Sequence, residues 1–461
     1  MSRQFKTHTG RPILLAGELG KGGEGIVYEV QGDTKVAAKL YHRDKANERR
    51  EKIEAIVGAG WYKITPSVAF PIDSLYTTSD QFAGFTMACI AGNKPIHDLY
   101  SPTSRKTEFP SANFRFLIRT ALNIARALAS VHATSCVVGD INHSGILIAG
   151  NALATLIDCD SFQVQVGGKP FLCKVGVPDF TPPELQGKRL DQFLRTPNHD
   201  AFGLAIVLFN LLFMGRHPFA GRFLGRGDMP LEKAIAEYRF AYSVRRNKTQ
   251  TEPPPNAPLL ADVPPNVGRA FEIAFGQIGT RQGRPKATDW ANILQHAESE
   301  VIQCASSQAH QYFRNAAACP WCRMESAYPG FLAFAPPLIS VTTTPINLGQ
   351  LIAAIRGVPD PGVALELATT MPTFKGNASQ SALKITNNAI AQYAAALIAA
   401  FVSIELFRLQ PPAPMIGFLV LLGSVFLAAR RSKPEEIVRK AFDQAIAAAW
   451  PAPGSVDSIL S

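Results

Sequence analysis

The feature that most constrains this chain is the run Gly20-Lys21-Gly22-Gly23-Glu24-Gly25-Ile26-Val27, set between two strand-like stretches. Glycines at these spacings let a backbone turn tightly and approach phosphate groups, and a valine just beyond them can cover a flat base. Alone, the run describes no more than a hairpin turn. The segment Val36-Ala37-Ala38-Lys39 narrows the choice. Strand alternation sets Val36 and Ala38 on one face and Ala37 and Lys39 on the other, so Lys39 points into the space beneath the loop. An amine placed there calls for a carboxylate from a helix. The helically spaced run 47–60 offers Glu51 and Glu54. Glu54 is preferred because it shares a face with Ile53 and Val57, which must pack inward.

Further along, Val138-Gly139-Asp140 and Leu156-Ile157-Asp158 each read as an apolar strand that delivers an aspartate into a turn. Two carboxylates presented in this way suit a base beside a hydroxyl and a magnesium ligand. Beyond residue 90 the pattern turns helical. Residues 113–132 carry a wide apolar face, and 200–214 are apolar nearly all round, which predicts a buried helix. Strands first and helices afterwards predict an α+β body in two lobes. The Pro-rich stretch 249–258 reads as a surface loop within that body, because helical patterning resumes at 266–302.

Taken in order, the glycine-rich loop, Lys39, Asp140, Asp158, Thr181-Pro182-Pro183-Glu184, Asp200 and Gly283-Arg284-Pro285 resemble the eukaryotic-like bacterial serine/threonine protein kinases of the YegI type. The wording of 176–221 and a later Cys-Pro-Trp-Cys strengthen the likeness, which covers about 13–322. The resemblance implies a two-lobed protein-kinase fold with a β-rich N-lobe (about 1–90) and a helical C-lobe (91–300). It implies an ATP-dependent kinase acting on protein hydroxyls. Gly20, Gly22 and Gly25 would cradle the phosphates, with Val27 and Ala37 against the adenine and Lys39, paired to Glu54, on the α/β-phosphates. Met87 would guard the back pocket, and Cys89 lies in the hinge. Asp140 would be the catalytic-loop aspartate, Asn142 would stand near the transferring phosphoryl, and Asp158 would bind magnesium (or manganese). Glu184 would pair with Arg284, and Asp200 would brace the catalytic loop. Protein substrates, a PP2C-type phosphatase and a von Willebrand A-type protein are the implied partners.

The chain makes four departures from the family pattern. Val138-Gly139 replaces His-Arg before the catalytic aspartate, Asn142 stands where lysine is usual, and Asp158-Cys159-Asp160 replaces Asp-Phe-Gly. Gly145 stands where an asparagine ordinarily binds the second magnesium, and glycine has no side-chain ligand. Asn142 and Asp160 are the residues that could compensate. The rival reading is a pseudokinase, an ATP-binding scaffold that signals by conformation.

The chain has 461 residues and a net charge of +10, with 47% hydrophobic and 18% charged residues, so most of it should fold. Of seven cysteines, Cys304, Cys319 and Cys322 cluster with His310, and Cys-Pro-Trp-Cys presents two thiolates to one ion. This spacing predicts a structural zinc in a 301–325 knuckle. A Pro-, Thr- and Gly-rich linker follows (326–388), then apolar runs at 389–407 and 415–429 and a tail (430–461) that opens with Arg430, Arg431 and Lys433. The runs predict a two-helix transmembrane hairpin within 389–429. That would tether the protein to the cytoplasmic membrane, with both termini in the cytoplasm. The start of the chain has no apolar leader core, and no hairpin motif for nucleic acid is evident.

Overall fold

The computed structural model describes residues 4–336, which lie within one compact unit. Six antiparallel strands come first: β1 (Gln4–Thr7), β2 (Pro12–Lys21), β3 (Gly25–Val30), β4 (Asp33–Tyr41), β5 (Asp73–Tyr76) and β6 (Phe82–Ala88). They close into a barrel in the order β1-β2-β3-β4-β6-β5. Alternation on β4 follows the sequence expectation. Val36, Ala38 and Leu40 pack with Ile13, Leu15, Tyr28 and Leu75 in a small barrel core, while Lys39 and Tyr41 face the other way. Glycine is required at Gly25, where a Cβ would stand 2.2 Å from the Leu40 carbonyl oxygen. One helix, α1 (Arg43–Ala59), connects β4 to the second half of the barrel.

The rest is mainly helical: α2 (Phe114–Ala133), α3 (Pro197–Leu212), α4 (Pro265–Phe275) and α5 (Ala287–Ser299). Asn113 caps α2 by accepting a 2.9 Å bond from the Phe116 N–H. In α3 every residue from Asp200 to Leu212 is buried, which explains an apolar pattern without a polar face. Aromatic rings bind α3 to its neighbours. Phe209 stacks on Phe213 at 3.9 Å and meets Phe271 at 5.1 Å, and Phe271 meets Trp290 of α5 at 4.8 Å. Each ring fully removed from water contributes about 1.5–3 kcal/mol, so this cluster is a firm base for the loops above it.

Two short paired strands, β7 (Ile146–Ile148) and β8 (Ala154–Leu156), separate the turns that carry Asp140 and Asp158. A final hairpin, β9 (Val301–Gln303) and β10 (Gln311–Phe313), and helix α6 (Pro320–Ala327) pack on the start of α2. Phe114 is 5.1 Å from Phe313 and 5.0 Å from Trp321. The first residues of the expected linker also belong to this packing, since Ala333 and Phe334 are buried.

The expectation of a membrane-tethered protein is corrected here. Among the described residues, no helix is long and apolar enough to cross a membrane. The runs 389–407 and 415–429 on which that reading rested lie outside the described residues, as does the tail 430–461.

Candidate active site and cysteine–histidine cluster

Between the barrel and the helical part lies a cleft of about 560 Å³, lined by the loop Gly20–Gly25, Val27, Lys39, Asp140, Asn142, Gly145, Asp158 and Asp160. The glycine-rich loop is held by α1 and its approach: Glu24 pairs with Arg49, and its carbonyl accepts the His42 N–H at 2.9 Å. Opposite, the Asp140 carboxylate accepts a 3.1 Å bond from the Val177 N–H. The turn before Asp140 rests on Asp200, which accepts the Val138 and Gly139 N–H groups at 2.7 and 2.8 Å and lies 3.0 Å from His132 Nε2. Because Asp200 is itself buried at the start of α3, the loop inherits the rigidity of that helix.

The partner of Lys39 is not the one expected. Its ammonium donates to both oxygens of Asp160 at 2.8 Å and lies 3.4 Å from Asp158. Tyr41 completes the set with a 2.8 Å bond to the same Asp160 carboxylate. Burial works against the charge of Lys39, but Asp160, and after it Asp158, outweigh that and hold its pKa above the ordinary value. Burial likewise pushes against the ionised Asp160, yet Lys39 and the Tyr41 hydroxyl keep its pKa low.

Glu54 turns away from the cleft. It accepts bonds from Arg50 at 2.8 Å and Tyr76 at 2.6 Å. The cause lies in helix phase: the buried stripe of α1 is Ala46, Arg49, Lys52, Ile53 and Ile56, which leaves Glu54 on a flank with Arg50. The alternative, Glu51, is exposed and pairs with Lys169. Thus α1 offers cations, not carboxylates, to the interior. Lys52 is 4% exposed, its amine has no hydrogen-bond partner among the described residues, and burial depresses its pKa to about 8.

Asn142 lies at the cleft, but its amide serves the local turn: Oδ1 accepts the Ser144 N–H at 2.8 Å and Nδ2 donates to the Asp140 carbonyl at 3.2 Å. Gly145 faces open space, with nothing within 4 Å of where a Cβ would stand. Ala37, Met87 and Cys89 do not line the cleft. Ala37 and Met87 are paired across β4 and β6, and the Cys89 N–H donates to the Lys35 carbonyl at 2.8 Å. The expected Glu184–Arg284 pair is present as a two-pronged contact of 2.7 and 2.8 Å, with the arginine side chain fully buried.

No protein-family model matches the chain. Two similar proteins are both named protein kinase YegI. The one from Escherichia coli (strain K12) is 36% identical over 325 residues, 69% of this chain and 50% of the relative. The one from Escherichia coli O157:H7 is 36% identical over 331 residues, 71% of this chain and 51% of the relative. The chain is a homologue of the YegI-type protein kinases. It spans about half the length of these curated relatives.

The chain carries a second cluster away from the cleft. Cys304, His310, Cys319 and Cys322 bring their donor atoms within 4.8 Å of one another. Cys304 and His310 flank the tip of the β9–β10 hairpin, where the Cys304 N–H donates to the His310 carbonyl at 2.9 Å. Cys319 and Cys322 come from the first turn of α6. The Cys304–Cys322 sulfur separation is 3.7 Å, and His310 Nδ1 is 3.3 Å from the Cys322 sulfur. Zinc–thiolate bonds of about 2.3 Å in a tetrahedron place sulfurs about 3.8 Å apart, so the donor set fits a closed zinc site. His310 Nε2 lies 3.0 Å from Glu325, an outer carboxylate that would fix the ring with Nδ1 toward the metal.

Sequence reasoning missed the pairing of Asp160 with Lys39, the buried Lys52 and the outer carboxylate Glu325. Only Asp160 had a local signal, a second acid two residues beyond Asp158.

Proposed function

We propose that this chain is an ATP- and magnesium-dependent protein serine/threonine kinase, built as a two-lobed kinase domain of about residues 1–300 with a zinc knuckle on the helical lobe. One observation carries the reading: the glycine-rich loop, Lys39, Asp140 and Asp158 converge on a single cleft although they come from separate stretches of the chain. In this reading the loop Gly20–Gly25 faces the phosphates and Val27 sits on the adenine side, while Ala37, Met87 and Cys89 stay off the cleft lining. Lys39 reaches the phosphates with Asp160 as its anchor. Asp158 would hold magnesium, which would supply neutralisation of phosphate charge. Asp140 accepts a hydrogen bond from the attacking hydroxyl and fixes its approach; its own carboxylate is steadied by the Val177 N–H. Asn142 supports the same turn. Protein hydroxyls are the substrates, and the resemblance adds a PP2C-type phosphatase and a von Willebrand A-type protein as partners.

The knuckle would hold one structural zinc on Cys304, His310, Cys319 and Cys322. The four-donor geometry and the outer Glu325 support this.

A second reading, an ATP-binding scaffold without transfer activity, draws on Gly145, which offers no ligand, and on Asn142, whose amide is committed to the turn. Incubation of the purified chain with labelled ATP and magnesium separates the two. Transfer by wild type and none by Asp158→Ala supports the kinase; nucleotide binding by both without transfer supports the scaffold.

A further inference from the structure

Arg195 lies just before α3, outside the cleft, and is 3% exposed. Its backbone is clamped on both sides by one glutamine: the Arg195 N–H donates to Gln163 Oε1 at 2.7 Å, and its carbonyl accepts from Gln163 Nε2 at 2.8 Å. The guanidinium then reaches two other loops. Nη1 donates to the Gly139 carbonyl and lies 3.7 Å from the Cys173 sulfur, while Nη2 donates to the Val175 carbonyl at 2.5 Å. Gly139 immediately precedes Asp140. Val175 is two residues before Val177, whose N–H holds the Asp140 carboxylate. One buried cation therefore spans both sides of the Asp140 environment.

The surroundings are shaped for it. Gly139 has φ of 79°, and a Cβ there would stand 2.7 Å from Cys173 Cβ and 3.1 Å from Arg195 Nη1. Any side chain at 139 would displace the guanidinium or the cysteine. The segment it secures also has few hydroxyls: between Ser161 and Thr181 there are none, and these two are already engaged. Ser161 donates to the Asp158 carbonyl at 2.8 Å and Thr181 to the Val177 carbonyl at 2.9 Å.

We propose that Arg195 is the positioning residue for Asp140, holding residues 173–177 against the catalytic turn so that transfer requires no prior phosphorylation of that segment. The proposal rests on the kinase reading for its activity arm. Both acceptors are backbone carbonyls, so the link needs no added charge. Arg195 contacts no lining atom of the phosphate loop, which separates its effect from nucleotide binding.

The experiment uses the full chain as wild type, Arg195→Met and Arg195→Lys, assayed for phosphoryl transfer to a generic protein substrate and for amide hydrogen exchange over 139–141 and 175–177. A misplaced base costs roughly tenfold to a hundredfold in rate, so Arg195→Met should lose that much kcat while its KM for ATP stays within about twofold. Exchange at Val177 should quicken. Arg195→Lys, able to reach one carbonyl, should fall between, and phosphatase-treated wild type should transfer at its untreated rate. Wild-type kcat and unchanged protection in Arg195→Met would overturn the proposal, as would loss of wild-type transfer after phosphatase treatment. If Arg195→Met does not fold, Arg195→Lys decides on the same criteria. If wild type itself transfers nothing, the kinase reading fails; the exchange arm then decides alone, with faster Val177 exchange sustaining the role of Arg195 and unchanged exchange removing it.

Discussion

Lys52 should be a liability to folding whose size can be read from its surroundings. Its amine is buried within electrostatic reach of Cys173, Arg49, Asp160, Glu24 and Cys136, with no hydrogen bond among the described residues, and burial lowers its pKa from 10.5 to about 8. The two neighbouring thiols stay protonated through neutral pH, since burial pushes Cys136 up to about 11 and Cys173 upward as well. The charged amine therefore costs about 3 kcal/mol in the folded state relative to the unfolded chain. Below about pH 8 both states hold the proton and the full cost is present. Between there and about pH 10.5 only the unfolded chain holds it, so stability rises with pH and the cost disappears. Lys52→Met keeps the shape without the charge. It should be more stable than wild type by about 3 kcal/mol near pH 7 and by less than about 1 kcal/mol near pH 10. Urea denaturation of both proteins at the two pH values measures this directly. A variant no more stable near pH 7, or one whose advantage is the same at both, would show that the amine is solvated or paired and would refute the reasoning.

Asp160→Asn removes the anchor of a nearly buried ammonium, so transfer should fall about tenfold or more with a lower melting temperature, whereas Glu54→Gln should leave transfer unchanged; parallel kinetics decide it. Metal analysis should find one zinc per chain in wild type and none in Cys319→Ser/Cys322→Ser, with the loss loosening 301–334 more than the cleft by hydrogen exchange. Gly145 has room for a side chain, so Gly145→Asn should fold normally and lower the magnesium concentration needed for half-maximal transfer; a titration that does not shift would mean that another group already supplies the ligand.

Much of the architecture was legible because it rests on local patterning. The glycine-rich loop, the alternation of β4 and the helices over 113–132 and 200–214 each depend on residues near one another in the chain. Their observed spans differ from expectation only at the ends. The cysteine–histidine cluster was equally legible, since a hairpin tip and a helix start bring four donors together over a short stretch. The helix that was to serve Lys39 shows where this stops. Ile53 and Val57 located an inward face correctly to within one residue, but one residue is about 100° of rotation, enough to send Glu54 to Tyr76 and Lys52 inside.

The sequence alone thus determined which segments become strands, helices and ligand-bearing turns, because periodicity and glycine placement act over a few residues. Only the tertiary structure decided which charges meet. Asp160 reaches Lys39, and Arg195 reaches Gly139 and Val175, across loops far apart in the chain. A buried charge takes whichever partner the packed interior leaves beside it, and no local pattern records that choice.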